Sequence, residues 1–283
     1  MKKNIIIVRG GGDIATGTIY KLHQSGYPVL VTEIANPSAI RRQVAFSEAV
    51  YEKSYTVEGV TCYFAENLPR AYELLKQRKV ALMIDPDGAV IREVKPAAVV
   101  DGILAKKNLG TTMDIAPFTV ALGPGFTAGV DVHAVVETMR GHKLGRIIYE
   151  GNAIPNTGIP GAIAGVAKER VIHAECAGIL YGEKKISDYV QKDEVIAFIY
   201  PDTQGKDASG QEKKDGAFAV RATISGILRG LIRDGYPVTK GFKIADIDPR
   251  ESEYEHCFTI SDKARCIAGG ALEALLHAGI LPE

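Results

Sequence analysis

The opening strand is predicted over residues 3–8, where a continuous β-branched and apolar run, 5–8, has the pattern of a strand buried on both faces of a parallel sheet. Gly10, Gly11 and Gly12 then interrupt it. From Ile14 onward, Ala15, Ile19 and Leu22 recur at helical spacing, and Gly26 with Pro28 closes that helix before a second apolar strand at 29–32. Together these segments read as one βαβ unit. Further strands are predicted at 80–84, 98–100 and 119–122, alternating with helical stretches such as 68–78, so the first half reads as a doubly wound sheet. Beyond Gly125 the helical period gives way to short strands and turns. HAVVET, RGHKLG and RIIYEG read as a hairpin, and a second domain is expected to begin there. A last helix is predicted from an N-cap at Ser261 to His277, stopped by Gly279, with Ile267, Ala271, Leu275 and Ala278 as its packing stripe.

Residues 174–201 match 222–249 at an offset of 48, from Ala174/Ala222 and Gly178/Gly226 to Pro201/Pro249. Eleven of 28 positions are identical, where average composition gives about two, which marks an internal duplication. Each copy, A-x-x-x-G-I-L-x-G followed by V-x-K-x-x-x-I-A-x-I, resembles half of a biotinyl or lipoyl domain, the barrel-sandwich hybrid. The expected fold is therefore α/β. A Rossmann-like nucleotide-binding domain occupies 1–128, and a connecting hairpin and glycine-rich linker, including Asn156-Thr157-Gly158-Ile159-Pro160-Gly161, occupies 129–169. A duplicated barrel-sandwich hybrid follows at 170–250 and a C-terminal helix within 251–283. In the carrier domains a lysine stands at the tip between the halves. Here that junction, PDTQGKDASGQEKKDG, is a long polar loop with Lys206, Lys213 and Lys214 and no methionine, so covalent lipoyl or biotin is not expected.

Composition adds boundaries. At 283 residues two hydrophobic cores are expected, and 46% hydrophobic against 24% charged residues supplies the material for them. Thirty-four basic side chains balance 34 acidic ones, which argues against nucleic acid or an anionic membrane as the main partner. A homo-oligomer is compatible with that balance. The apolar run at 5–8 is too short for a signal peptide or a membrane span, so a cytoplasmic location is expected. Cys62, Cys176, Cys257 and Cys266 lie far apart without a CxxC pair, indicating neither zinc nor disulfides, and read mainly as packing residues.

The chemistry concentrates in Gly10-x-Gly12-x-x-Ala15, set between a strand and a helix, with Glu33 ending the next strand. Phosphate binding needs backbone N–H groups free of side chains and the positive end of a helix, and this segment supplies both. Glu33 is placed to accept the hydroxyls of an unphosphorylated ribose, as in NAD, so Glu33→Gln is expected to weaken an NAD-like ligand at little cost to stability. Asp13, in the helix's first turn, would repel a pyrophosphate there; a metal bridge, a displaced ligand or compensation by Arg9 would each remove the conflict. Arg41 and Arg42 are placed either to reach an adenosine phosphate or to start a solvated helix. A second glycine turn, Gly123-Pro124-Gly125, follows another strand and is positioned to line the same crevice. Asp85-Pro86-Asp87-Gly88 reads first as a turn and second as a cation or hydroxyl site. The candidate ligand-binding set is thus Arg9, Gly10, Gly11, Gly12, Asp13, Ala15, Glu33, Gly123 and Gly125. His133 and His142 have no spaced partner, so no catalytic set and no metal ligands emerge.

The blocks VRGGGDIATG, RRQVAFSEAVYE, VALGPGFTAGVDVHAVVETMRGHKLGRII, NTGIPG and HCFTISDKARCIAGGALEALL, collinear from about residue 5 to 280, resemble the YqeB family of accessory proteins for selenium-dependent molybdenum hydroxylases. The N-terminal half is also similar to that of the sulfuration chaperone XdhC. The resemblance implies a role in maturing a molybdenum hydroxylase client, by inserting or modifying its selenium-containing cofactor, with a nucleotide or molybdopterin dinucleotide as ligand. It implies no catalytic residue. One departure is HAECAG, where a proline-bearing HAPxxG-like segment is expected, so Cys176 is not carried over as a family feature. Two other readings stand beside it: an NAD-dependent oxidoreductase, and a noncatalytic carrier-like module.

Overall fold

The computed structural model describes residues 4–156, 158, 165–201 and 216–282. They form two compact units, one comprising Met1–Pro37, Val44–Thr157 and Thr259–Glu283, the other Ser38–Gln43 and Gly158–Phe258. Lys206, Lys213 and Lys214, and most of the glycine-rich linker, lie outside the described residues.

The first unit carries strands β1 (Ile6–Arg9), β2 (Val29–Glu33), β3 (Ser54–Val57), β4 (Val60–Phe64), β5 (Val80–Ile84), β6 (Ala98–Asp101), β7 (Thr119–Leu122), β8 (Thr127–Ala128), β9 (Ala134–Val136), β10 (Ile147–Ile148) and β11 (Gly151–Asn152). Nine of them make one sheet in the order β10-β9-β7-β6-β1-β2-β5-β4-β3, while β8 and β11 pair separately. From β9 to β4 every neighbour is parallel, and β3 and β10 close the edges antiparallel. The helices are α1 (Asp13–Gln24), α2 (Ala49–Glu52), α3 (Leu68–Lys76), α4 (Val90–Val94) and α5 (Asp262–His277). Asn67 caps α3 by accepting from the Arg70 N–H at 2.9 Å, and Ser261 caps α5 in the same way by accepting from the Ala264 N–H at 3.2 Å.

Side chains alternate across the sheet, and each face has its own core. Ile6 and Val8 pack with Ile19 and Leu22 of α1 and with Ile267, Ala271 and Leu275 of α5. On the other face Ile7, Leu30 and Val99 pack with Leu74 and Leu75 of α3 and Val90, Ile91 and Val94 of α4. Helices α1 and α5 meet backbone to backbone: a Cβ at Gly17 would lie 2.8 Å from that of Ala264.

The second unit holds β12 (Val171–His173), β13 (Gly178–Gly182), β14 (Tyr189–Val190), β15 (Val195–Tyr200), β16 (Phe218–Arg221), β17 (Gly226–Leu231), β18 (Tyr236–Val238) and β19 (Lys243–Asp248). They form two antiparallel sheets, β12-β19-β17-β14 and β16-β15-β13-β18. Each sheet draws strands from both repeat copies, and Leu180, Ile196, Leu228 and Ile244 lie in one shared core. Residues 38–43 join this unit through Leu231, whose N–H donates to the Ile40 carbonyl at 3.0 Å. Asp246 and Asp248, each 1% exposed, are held by Arg170, Arg229 and Arg250, and an aspartate stripped of such partners in a dry interior would be strongly destabilising.

This architecture corrects the expected Rossmann-like domain followed by a barrel-sandwich hybrid. The large sheet is mixed, not purely parallel, and does not stop at residue 128: Ala134–Val136 pairs with β7, and Ile147–Ile148 folds back on it. The last helix belongs to that sheet's core. The segment 170–250 makes two four-stranded antiparallel sheets, each enlarged by a strand outside the repeats, β12 in one and β16 in the other. Short apolar runs do not announce which neighbour they will pair with, and here pairing is decided across long sequence separations. Among the described residues no helix is long and apolar enough to cross a membrane.

The α1–α5 contact sets the first prediction. Gly17→Val should destabilise the protein by about 1–3 kcal/mol through overpacking. Gly269→Ala, in α5 where an added Cβ meets nothing within 4 Å, should be neutral or stabilise by about 0.4–1 kcal/mol. Urea unfolding of both variants checks the pair.

Candidate functional site

The sheet parts at β1, with β2 on one side and β6 on the other. The chain leaving β1 therefore emerges into the crevice at the carboxyl ends of parallel strands, where open α/β sheets gather ligands. Three glycines line that exit for three different reasons. Gly10 has φ +88°, donates its N–H to the Thr32 carbonyl at 2.8 Å, and would bring a Cβ to 3.1 Å from the Gly102 carbonyl. Gly11 would bring one to 2.9 Å from the Ser47 nitrogen, whose N–H donates to the Gly11 carbonyl at 2.8 Å. Gly12 is different: its φ of −65° and ψ of 176° suit any residue, and no atom lies within 4 Å of where its Cβ would stand. It heads α1, which has no side-chain cap at this end. Ala15 is fully buried, and its small side chain lets the helix close on Gly102.

Glu33 ends β2 beside this loop. One carboxylate oxygen accepts the Gly11 N–H and the other the Ile34 N–H, both at 2.8 Å. Burial pushes its carboxyl above the ordinary range, and those two donors pull it partly back. The acid thus ties the loop to the strand. This alters the expectation for Glu33→Gln: an amide nitrogen facing a backbone N–H leaves a donor unpaired, so stability should fall by about 1–3 kcal/mol.

Asp13 does not face the crevice without a cation. Lys263, in the first turn of α5, interacts electrostatically with Asp13 and Glu137. Burial and the nearby Arg140 push the Lys263 ammonium below its ordinary range, while Asp13, Glu137 and Asp262 oppose that shift. Sequence periodicity misses Lys263, although the ISDKAR block that contains it stands out as a motif; what periodicity does not carry is that α5 crosses α1 near its start. Gly123 and Gly125 follow β7 with φ of +87° and +108°. Their side-chain positions are filled by Thr138 and by the backbone at Lys107, so packing alone requires both glycines.

Arg9 turns away from the glycine loop, because Ile7 and Arg9 point to the α4 face of the sheet. It is 3% exposed; Nη1 donates to Thr111 Oγ1 at 2.6 Å, and Nη2 reaches the carbonyls of Leu109 at 3.3 Å and Pro86 at 3.4 Å. Asp101, its register partner on β6, lies 3.7 Å from Nη1 and accepts the Thr111 hydroxyl at 2.6 Å. Burial pushes the Asp101 carboxyl up, against the Thr111 hydrogen bond, the Arg9 charge and the Ile103 N–H. Asp85 accepts from the Ala89 and Val90 N–H groups at 2.9 Å and caps α4, which accounts for the DPDG turn. In the second unit Arg41 and Arg42 donate to the carbonyls of His256 and Leu231. His133 exchanges hydrogen bonds with Thr119. Cys62 and Cys257 are buried, Cys176 is half-buried and Cys266 exposed.

No protein-family model matches the chain. Among curated proteins, the uncharacterized protein YqeB of Escherichia coli strain K12 is 46% identical over 279 residues, covering 98% of this chain and 48% of that protein. The chain thus spans about half the length of the curated relative it matches. Among solved structures, the product-bound ectoine utilization protein EutE (DoeB) from Ruegeria pomeroyi aligns over 88% of this chain and 86% of that one, at 11% identity and a TM-score of 0.28. An aspartoacylase family protein from Mesorhizobium loti aligns over 87% and 84%, at 11% identity and a TM-score of 0.27. A succinylglutamate desuccinylase/aspartoacylase from Rhodobacter sphaeroides aligns over 87% and 85%, at 13% identity and a TM-score of 0.28.

The Asp101 environment is testable by carboxyl carbon NMR. Its titration midpoint should lie above the ordinary aspartate value, and Thr111→Val should raise it further by removing a donor to the charged form. Because the folded value exceeds the unfolded one, this carboxyl's contribution to stability is full below the unfolded value and fades as pH rises through the folded one. A midpoint below the ordinary value would contradict the assignment.

Proposed function

We propose that this relative of YqeB binds a phosphate-bearing ligand, a nucleotide or a molybdopterin dinucleotide, at the loop of residues 10–15, and acts as an accessory protein in maturing a selenium-dependent molybdenum hydroxylase. The observation that carries the binding reading is Gly12. Gly10 and Gly11 have packing reasons to be glycine, whereas Gly12 has neither a positive φ nor a neighbour in its side-chain space. A glycine that the fold does not need, at the uncapped start of a 12-residue helix and at the parting of a parallel sheet, suits a backbone kept bare for a phosphate oxygen. Lys263 supports the same reading, since its charge offsets that of Asp13. The client and its selenium chemistry are supported by the collinear motif blocks shared with the accessory family. The loop's role is binding, with the client supplying the reaction.

Gly12→Ala separates structure from function. With open space at the added methyl, the variant should fold with a stability within about 1 kcal/mol of the parent. Thermal denaturation with NAD, ATP and a molybdopterin dinucleotide should show one of them raising the parent's melting temperature, because a ligand at 100 times its Kd adds about 2.7 kcal/mol. The same ligand should lose that effect on Gly12→Ala, and client hydroxylase activity should fall with it. A folded Gly12→Ala protein that keeps both would refute the loop as the site.

A further inference from the structure

On the sheet face opposite α1 lies a cleft of about 820 Å³, floored by Arg9 and walled by Ile91, Ile115 and Pro117, with Arg92 and Lys95 at its rim. We propose that this cleft is a second binding site, for a carboxylate with an apolar body, read by the side chain of Arg9. It is separate from the glycine loop, which continues from the same residue's backbone into α1 on the other face.

The argument begins with Arg9. It is buried to 3% exposure, and both terminal nitrogens are spent: Nη1 on Thr111, Nη2 on the carbonyls of Pro86 and Leu109. That leaves Nε–H without a hydrogen-bond partner among the described residues. Fixing the two terminal nitrogens also fixes the plane of the guanidinium, so Nε–H is presented without further loss of side-chain freedom. The residue over it is Gly88, with φ +70°, where a Cβ would stand 3.6 Å from Nε. Arg9 is almost wholly out of water, and a charged donor held there is more effective than one in bulk solvent. Its partner Asp101 lies 3.7 Å from Nη1 and is already committed to the Thr111 hydroxyl and the Ile103 N–H.

The charges at the mouth balance, Arg92 and Lys95 against Asp87 and Asp114, and Asp101 offsets Arg9, so the preference for an anion rests on the Nε–H that Arg9 leaves unpartnered. The walls of Ile91, Ile115 and Pro117 match an aromatic or branched apolar body, the usual combination of an apolar lining with a few placed polar groups.

The test follows the arginine Nε–Hε resonances of the full chain by proton–nitrogen NMR while sodium benzoate is added. The Arg9 resonance is identified by its loss in Arg9→Lys or, if that variant does not fold, by through-bond correlation from the Arg9 amide. Benzoate should shift it saturably and benzyl alcohol should not. Arg92→Ser, on the exposed side of α4, with Lys95→Ser, the exposed residue just after it, should weaken benzoate roughly two- to fivefold, and Gly12→Ala should leave it unchanged. No saturable shift at Arg9, or an equal one with benzyl alcohol, would overturn the proposal. Because the probe carries no phosphate and Gly12 serves as the control, this result and that of the glycine loop fail independently.

Discussion

An arginine and an aspartate stand side by side at the ends of two adjacent parallel strands, both almost wholly out of water. Neither Arg9 nor Asp101 could be tolerated there alone, since an unpaired buried charge is far more costly than a paired one. Their mutual contact is only partly made, at 3.7 Å, so the surrounding loops complete it. Thr111 bridges the two, and the carbonyls of Pro86 and Leu109 and the Ile103 N–H take the remaining capacity. Two loops that would otherwise be independent, residues 85–89 and 102–112, are thereby fixed around one ion pair, and the carboxyl edge of the sheet acquires a rigid floor.

That floor explains why the edge has two faces with different chemistry. Main-chain atoms after Arg9 run to the α1 side, where bare glycine and a helix start present N–H groups. The side chain runs to the α4 side, where a planar cation meets apolar walls. Alternation along a strand is enough to produce the division. On the α1 side, α5 brings a lysine to a place where the chain's own acid would otherwise oppose an anion, so that surface is electrostatically complete only once residues from both ends of the sequence have met.

Much of the first unit is legible along the chain. The apolar runs that become β1, β2, β5, β6 and β7 are central parallel strands buried on both faces, which leave a continuous hydrophobic signature. The glycine turn stands out because it interrupts such a run, and α5 because Ser261 caps it and Gly279 follows it. The edges are less visible: β3 and β10 are antiparallel, short and half-wet, and nothing local says which strand they will join. Nor can spacing reveal that Gly123 and Gly125 answer to Thr138 and Lys107, that Glu33 spends its carboxylate on Gly11, or that Lys263 faces Asp13. Each depends on a crossing between distant segments. The repeats are visible as identities, but identity does not say how two copies share strands.

The order of the units along the chain has a consequence for synthesis. The first unit is discontinuous: α5 covers the same sheet face as α1, and the Tyr27 hydroxyl donates to the Ile280 carbonyl at 2.6 Å, so the whole second unit is inserted between the parts of its core. On the ribosome the inserted unit can therefore close before its host. Until residues 262–277 emerge, Ile6, Val8, Ile19 and Leu22 lack their covering helix, and the nascent sheet carries an exposed apolar face of the sort that chaperones hold. The glycine loop and Lys263 thus come together as one of the last events of folding, which ties the proposed ligand site to completion of the fold around it.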